Sequence, residues 1–281
     1  MPRAPKIVRT VKDVRRHVAR WTAAGETVAV VPTMGALHDG HLGLVTAARR
    51  KAQRVIVTIF VNPAQFAAHE DLGRYPRDEA GDLAKLATVS TDLVYAPARE
   101  TMYPEGFATR IQPAGAAEGL ESLTRPHFFG GVATIVAKLL LQTRADIAMF
   151  GEKDYQQLMV VKQLVRDLDI PCSIVGVPTA RAADGLALSS RNTYLTAEER
   201  AVAPALHRVL ATTAAALRCG GDVRKALAAG KRSLAAAGFK VDYLELRDAE
   251  TLGPFVSATG PGRLLVAAFL GKTRLIDNIA V

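Results

Sequence analysis

Cysteine is scarce in this sequence: Cys172 and Cys219 are the only two among 281 residues. That is too few for a disulfide framework, and the pair lies too far apart along the chain to suggest a zinc site. A reducing, cytoplasmic setting is therefore expected. Aromatic residues make up only 6%, with a single Trp, whereas a nucleic-acid binder interleaves aromatics with a basic stripe. Long hydrophobic runs are missing as well. The longest, such as 55–61 and 264–270, stop far short of a membrane span. Arg3 and Lys6 have no apolar stretch behind them, so no secretory signal is expected. The Gly-rich Walker loop and the dinucleotide fingerprint are both absent, and any phosphate must be held another way.

What is present fits a folded chain: 49% hydrophobic and 22% charged residues exclude disorder as the main state. Lys and Arg outnumber Asp and Glu by 36 to 27, a net charge of +9. Such a surplus suits either nucleic-acid binding or an enzyme whose positive cleft collects anionic substrates. The basic residues are scattered, with small clusters such as Arg49-Arg50-Lys51. Most read as solvated helix faces, so charge alone does not decide.

The first two-thirds alternates strand-like and helix-like segments. Helical spacing covers 11–24, 41–52, 77–87, 129–143 and 155–168. Short apolar runs at 27–31, 54–61, 92–95, 146–150 and 172–177 read as strands buried on both faces. This pattern predicts an α/β fold, a Rossmann-like doubly wound parallel sheet spanning 1–179. Beyond it, alanine-rich helices at 197–219 and 223–237 precede strand-like runs at 241–246, 263–269 and 274–279. They predict a smaller α+β C-terminal domain over 180–281.

In open α/β sheets, ligands bind beyond the carboxyl ends of the strands. Four polar clusters follow strand ends here: Thr33 to His41, Asn62 to Phe66, Gly151 to Asp154, and Asp184 to Asn192. In a parallel sheet all four approach one edge. His38 and His41, at i, i+3 spacing at a helix start, can share one face. Gly35 and Gly40 allow a ligand close to the backbone, and a helix N-terminus suits phosphate. Two other readings of the histidines are helix capping and metal ligation; against metal, no third ligand is spaced nearby. Lys153 and Asp154 offer a cation for phosphate and an acceptor for ribose, although such a pair often lies on a surface. Ser189, Ser190 and Arg191 add two hydroxyls and a guanidinium fork.

His38-Asp39-Gly40-His41 matches the His-x-Gly-His signature of the nucleotidyl transferase superfamily. The longer stretches 32–41, 60–66, 150–158 and 184–192, in this order, resemble the pantothenate synthetase (pantoate–β-alanine ligase) family across nearly the whole chain. The resemblance implies that ATP adenylates pantoate with loss of pyrophosphate, and that the amine of β-alanine then displaces AMP. By position, Met34, Gly35, Ala36, Leu37, His38, Asp39, Gly40, His41, Gly151, Glu152, Lys153, Asp154, Ala180, Leu188, Ser189, Ser190 and Arg191 would line the ATP site. His41 corresponds to the residue assigned as catalytic acid, with His38 beside it. His38, Lys153, Ser189, Ser190 and Arg191 would share the stabilisation of charge. Gln65 and Gln157 would hold pantoate, with Asn62 counted beside them, and Gln65 would also lie near β-alanine. Mg²⁺ would bridge the phosphates. Asp82 is the candidate carboxylate near it, against the competing reading of an exposed helix residue. A reactive adenylate calls for a mobile cover, from 69–77 or part of the second domain. Proteins of this kind are usually homodimers, with no nucleic-acid or membrane partner.

One segment departs from the family pattern. Where Arg-Pro-Gly-His-Phe-x-Gly-Val is usual, this chain has Arg125-Pro126-His127-Phe128-Phe129-Gly130-Gly131-Val132. A bulky residue at a glycine position predicts a changed local backbone, and no role is carried onto Phe128. Two rivals stay in view. A His-x-Gly-His adenylyltransferase would stop at the adenylated product without needing Gln65 and Gln157. A nucleic-acid binder would show steep salt dependence.

Overall fold

The computed structural model describes residues 4–66, 71–73, 75–256 and 260–281. The chain divides into two compact units, residues 1–152 with 160–178, and residues 153–159 with 179–281.

The first unit opens with β1 (Lys6–Val8) and α1 (Val11–Ala23). Thr10 caps α1 by accepting from the Asp13 N–H, and Val14 and Val18 form its buried stripe. Then follow β2 (Val28–Thr33), α2 (Asp39–Arg49), β3 (Arg54–Ile59), α3 (Glu79–Thr88) and β4 (Leu93–Tyr95). The short helices α4 (Arg99–Met102) and α5 (Glu121–Thr124) lead to α6 (Phe128–Thr143), β5 (Ile147–Gly151), α7 (Tyr155–Asp167) and β6 (Ser173–Val177). The strand order is β1-β4-β3-β2-β5-β6, and every pair is parallel. From β2 the chain builds outward through β3 and β4, then restarts on the other side with β5 and β6. This is the doubly wound arrangement, with its switch point between β2 and β5.

The sequence explains why the sheet opens at that point. β2 pairs with β3 as far as Thr33↔Ile59, and β5 with β6 as far as Gly151↔Val177. Between β2 and β5, however, only Ala29↔Ile147 and Val30↔Ala148 are in register. Along β2 the backbone alternates sides: Thr27 and Thr33 carbonyls accept from Arg54 and Phe60 on the β3 side, and Val28 accepts from Asp146 on the β5 side. Position 32 therefore faces β5, and it is a proline with no N–H to continue the ladder. The strands part beyond it.

The second unit packs α8 (Ala197–Val202), α9 (Ala205–Arg218) and α10 (Val223–Ala236) with an antiparallel sheet of β7 (Lys240–Asp248), β8 (Gly262–Leu270) and β9 (Thr273–Ala280). Leu206, Leu210, Leu234, Leu244, Leu264 and Val266 form its core. Two expectations need correction. The helix expected over 197–219 breaks at Pro204, which has no N–H to offer the preceding turn. Residues 153–159, expected in the first domain, group with the second unit, where the Tyr155 hydroxyl donates to Ala249 O at 2.9 Å. Strand β1 was not expected, being only three residues long. Among the described residues, no helix is long and apolar enough to cross a membrane.

Candidate active site

The loop leaving β2 is tightly turned. Gly35 has φ +85° and Ala36 φ +51°, and a Cβ on Gly35 would meet Asp82 Oδ2 at 3.1 Å and Ile59 Cγ2 at 3.2 Å. Asp82 holds this turn. Its two oxygens accept from Ala36 N at 2.9 Å and Leu37 N at 2.7 Å, while Lys85 Nζ donates to Leu37 O at 2.6 Å. The reading of Asp82 as an exposed helix residue is therefore corrected: it is 2% exposed. Burial pushes its carboxyl above the usual range, against the opposing pull of the Leu37 and Ala36 N–H groups.

His38 is the N-cap of α2, and its Nδ1 accepts from Gly40 N at 3.1 Å. His41, at the third helical position, returns the contact by accepting the His38 N–H on its own Nδ1 at 3.3 Å. The rings lie 4.1 Å apart between centroids, inclined by 40°. A nitrogen that accepts an N–H cannot also carry a proton. Both neutral rings are therefore Nε2–H tautomers, fixed as donors. The capping contacts themselves set the direction of each donor nitrogen.

The second cluster surrounds Gln65. Its Oε1 accepts from Asn62 Nδ2 at 3.0 Å, and its Nε2 donates to the Met34 thioether at 3.4 Å, a weak acceptor. A carboxylate or hydroxyl of a substrate would be the better partner. Asn62, 1% exposed, has its polar atoms fully engaged. Its Nδ2 also donates to Gly131 O at 3.1 Å, and its Oδ1 accepts from Ala64 N at 3.3 Å and Tyr103 OH at 2.7 Å. Asn62 thus orients Gln65. Burial lifts the Tyr103 hydroxyl to about 12, with the Asn62 hydrogen bond opposing, so it remains a donor at neutral pH.

Helix α6 is pressed against this turn. A Cβ on Gly131 would stand 2.4 Å from Ala64 O and 2.8 Å from Gln65 N, so only glycine fits. Arg125 Nη2 donates to Gln65 O at 3.1 Å, and its guanidinium lies 3.8 Å over the Phe128 ring. His127 has φ −91° and ψ −9°, a helical pair that its side chain adopts without strain. Phe128 packs between Arg125 and the edge of Phe129, 4.9 Å away between centroids.

Gly151 ends β5 beside the opened seam, so two clusters and the Gly151-Glu152 start of the third meet at one edge of the first unit's sheet. Glu152, Lys153 and Asp154 make a 3₁₀ turn, with Lys153 Nζ 3.6 Å from Asp154 Oδ1, and Gln157 is half-buried in α7. The fourth cluster belongs to the second unit. Leu188 N donates to Ala180 O at 2.9 Å, closing a hairpin whose tip holds Gly185 at φ +93°. Ser189 then caps the turn Ser190–Tyr194, accepting from Arg191 N at 3.3 Å. The cover expected from 69–77 falls partly outside the described residues, since His69, Glu70 and Arg74 lie beyond them.

Among the described residues no three His, Cys, Asp or Glu side chains converge as an all-protein cation cage, which is ordinary for Mg²⁺ that travels with a nucleotide. Both Asp82 oxygens already accept backbone N–H groups. Sequence reasoning missed Tyr103, Gly131 and Arg125, whose partners lie far away in the chain. It also missed Asp277 and Asn278, for which a signal existed: two adjacent polar residues interrupt the apolar strand β9.

A parted switch point, an α2 start flanked by two donor imidazoles and a neighbouring amide pair define an α/β enzyme that works on nucleotide phosphates, of the His-x-Gly-His kind. The family model described as pantoate-beta-alanine ligase matches residues 6–280, and the chain belongs to that family. It is 58% identical over 282 residues to the pantothenate synthetase of Caulobacter vibrioides, covering 99% of each. It is 57% identical to that of a Bradyrhizobium species, covering 100% of each. The crystal structure of pantothenate synthetase from Thermus thermophilus superposes with a TM-score of 0.92 at 48% identity, covering 98% of both chains. The pantoate–β-alanine ligase of Francisella tularensis, solved with β-γ ATP and β-alanine, gives 0.81 at 34% identity, covering 98% of this chain and 97% of that one.

Proposed function

We propose that this pantoate–β-alanine ligase makes pantothenate by charging pantoate on the donor-lined crevice between β2 and β5. A pantoate carboxylate oxygen attacks the α-phosphorus of ATP, and the bond from that phosphorus to the pyrophosphate oxygen breaks. Pyrophosphate leaves and pantoyl adenylate remains. The amine nitrogen of β-alanine then attacks the acyl carbon, the acyl–phosphate bond breaks, and AMP departs as the amine loses its extra proton.

The observation that carries this reading is the reciprocal capping of His38 and His41, which fixes an Nε2–H donor on each ring. In the first step negative charge grows on the phosphoryl and leaving oxygens. Donors already oriented need no reorganisation to meet it, and removing one such donor costs about a hundred- to a thousandfold in rate. His41 acts here by hydrogen-bond donation from a neutral ring, with Lys153, Ser189, Ser190 and Arg191 as the cationic and hydroxyl partners of the nucleotide. Gln65 exchanges its Met34 contact for a pantoate oxygen, and Gln157 supplies the second neutral amide. Mg²⁺ bound with ATP would add positive charge against the charge growing on the phosphates. The enzyme works as a homodimer in the cytoplasm, with the adenylate covered from water until β-alanine arrives.

Release of pyrophosphate and AMP from ATP, Mg²⁺ and pantoate, with and without β-alanine, tests the reading. Sustained AMP formation is expected only when both organic substrates are present. A single pyrophosphate burst that β-alanine leaves unchanged would retain adenylation and refute the amine acceptor.

A further inference from the structure

Strand β9 buries two adjacent polar residues, Asp277 and Asn278, each 3% exposed. Neighbours on a strand point to opposite faces, so the two serve different segments. Asp277 receives the Arg181 guanidinium at 2.7 and 2.8 Å and the Asn278 N–H at 2.8 Å. His207 Nδ1 lies 3.2 Å from the same carboxylate, a close contact without well-directed hydrogen-bond geometry. Arg181 in turn donates to Gly185 O at 3.1 Å, which ties the carboxylate to the hairpin closed by Leu188 and Ala180. On the other face, Asn278 Nδ2 donates to Lys153 O at 2.8 Å, and its Oδ1 accepts from Arg263 Nε at 2.7 Å. The Arg263 guanidinium covers the Tyr155 ring at 4.0 Å.

Buried polar groups in a sheet are weak contributors to stability compared with apolar residues of the same size. The two here are spent on the only candidate nucleotide segments that the second unit carries. We propose that Asp277 and Asn278 are positioning residues for ATP: Asp277 sets the hairpin leading into Ser189–Arg191 through Arg181, and Asn278 sets Lys153 through its carbonyl. This rests on the reading of residues 153–154 and 180–191 as nucleotide-binding.

Steady-state kinetics and amide hydrogen exchange on Asp277→Asn and Asn278→Ala test it. In the unsubstituted enzyme ATP is expected to slow exchange in residues 153–159 and 180–191. Each substitution raises the KM for ATP about tenfold and leaves those for pantoate and β-alanine within about twofold. Exchange quickens at 180–191 in the first variant and at 153–159 in the second. Should Asp277→Asn fail to fold, Arg181→Lys keeps the charge but not the two-pronged contact, and the same ATP-selective loss is expected. Parallel rises in all three KM values with a falling Tm, or an unchanged KM for ATP, would overturn the proposal. If ATP protects neither segment of the unsubstituted enzyme, it is the nucleotide-binding reading that fails.

Discussion

His38 caps α2 with one ring nitrogen, the proposed reading gives the reaction the other, and substitution can separate the two. Asparagine places an oxygen near the Nδ1 position and is among the best N-caps, whereas glutamine reaches the Nε2 position and caps poorly. His38→Asn is therefore expected to keep the Tm while losing about a hundredfold in the rate of pyrophosphate release. His38→Gln should retain more of that rate and lose about 1 kcal/mol of stability. Measuring both quantities on both variants checks the division, and equal losses in each would contradict it. The two roles could not be told apart in the sequence. Cap and ligand appeared there as competing readings of one residue, because the His38 and His41 letters carry no ring orientation.

At the scale of elements, the close fit of α6 against the Asn62–Phe66 turn sets where Gln65 stands. Gly131→Ala puts a methyl group 2.4 Å from Ala64 O, which forces the helix and the turn apart. Overpacking of this kind costs about 1–3 kcal/mol, and the displaced Gln65 should raise the KM for pantoate more than that for ATP. Denaturant melts together with the two KM values provide the check. The parallel strands were legible because runs such as Val28–Val31 and Val55–Val57 are apolar on both faces. β1 was not, since Lys6–Val8 is too short for any period to register. The clusters at strand ends were legible for the same topological reason as the strands. Their supports were not: Arg125 meets Gln65 across 60 residues and Asn278 meets Lys153 across 125, and only folding makes them neighbours.

Over the whole molecule, two buried carboxylates oppose each other in acid. Burial would raise Asp277, yet His207, Arg181 and the Asn278 N–H outweigh it and hold the group below its ordinary 3.8. A depressed folded value means that this stabilisation is full above 3.8 and lost as pH falls through the lower folded value. Asp82 is raised by burial, so its contribution runs the other way, present at low pH and lost as pH rises through the folded value. Asp277→Asn leaves the Asp82 behaviour untouched. Its unfolding free energy should be lower than that of the unsubstituted chain at neutral pH and should fall less between about pH 5 and pH 3. Urea melts across that range read the difference, and curves that stay parallel would count against the assignment.

Pro32 works as a stop in a zip. Valine there would offer one more rung across the β2–β5 seam, a hydrogen bond worth about 0.5–1.5 kcal/mol. It would also free the unfolded chain that proline restrains, at a cost of about 0.4–1 kcal/mol. The two nearly cancel, so Pro32→Val should unfold within about 1 kcal/mol of the parent while its kcat/KM for ATP falls as the slit narrows. A fold so nearly indifferent to this residue would leave its choice to the nucleotide proposed for the gap.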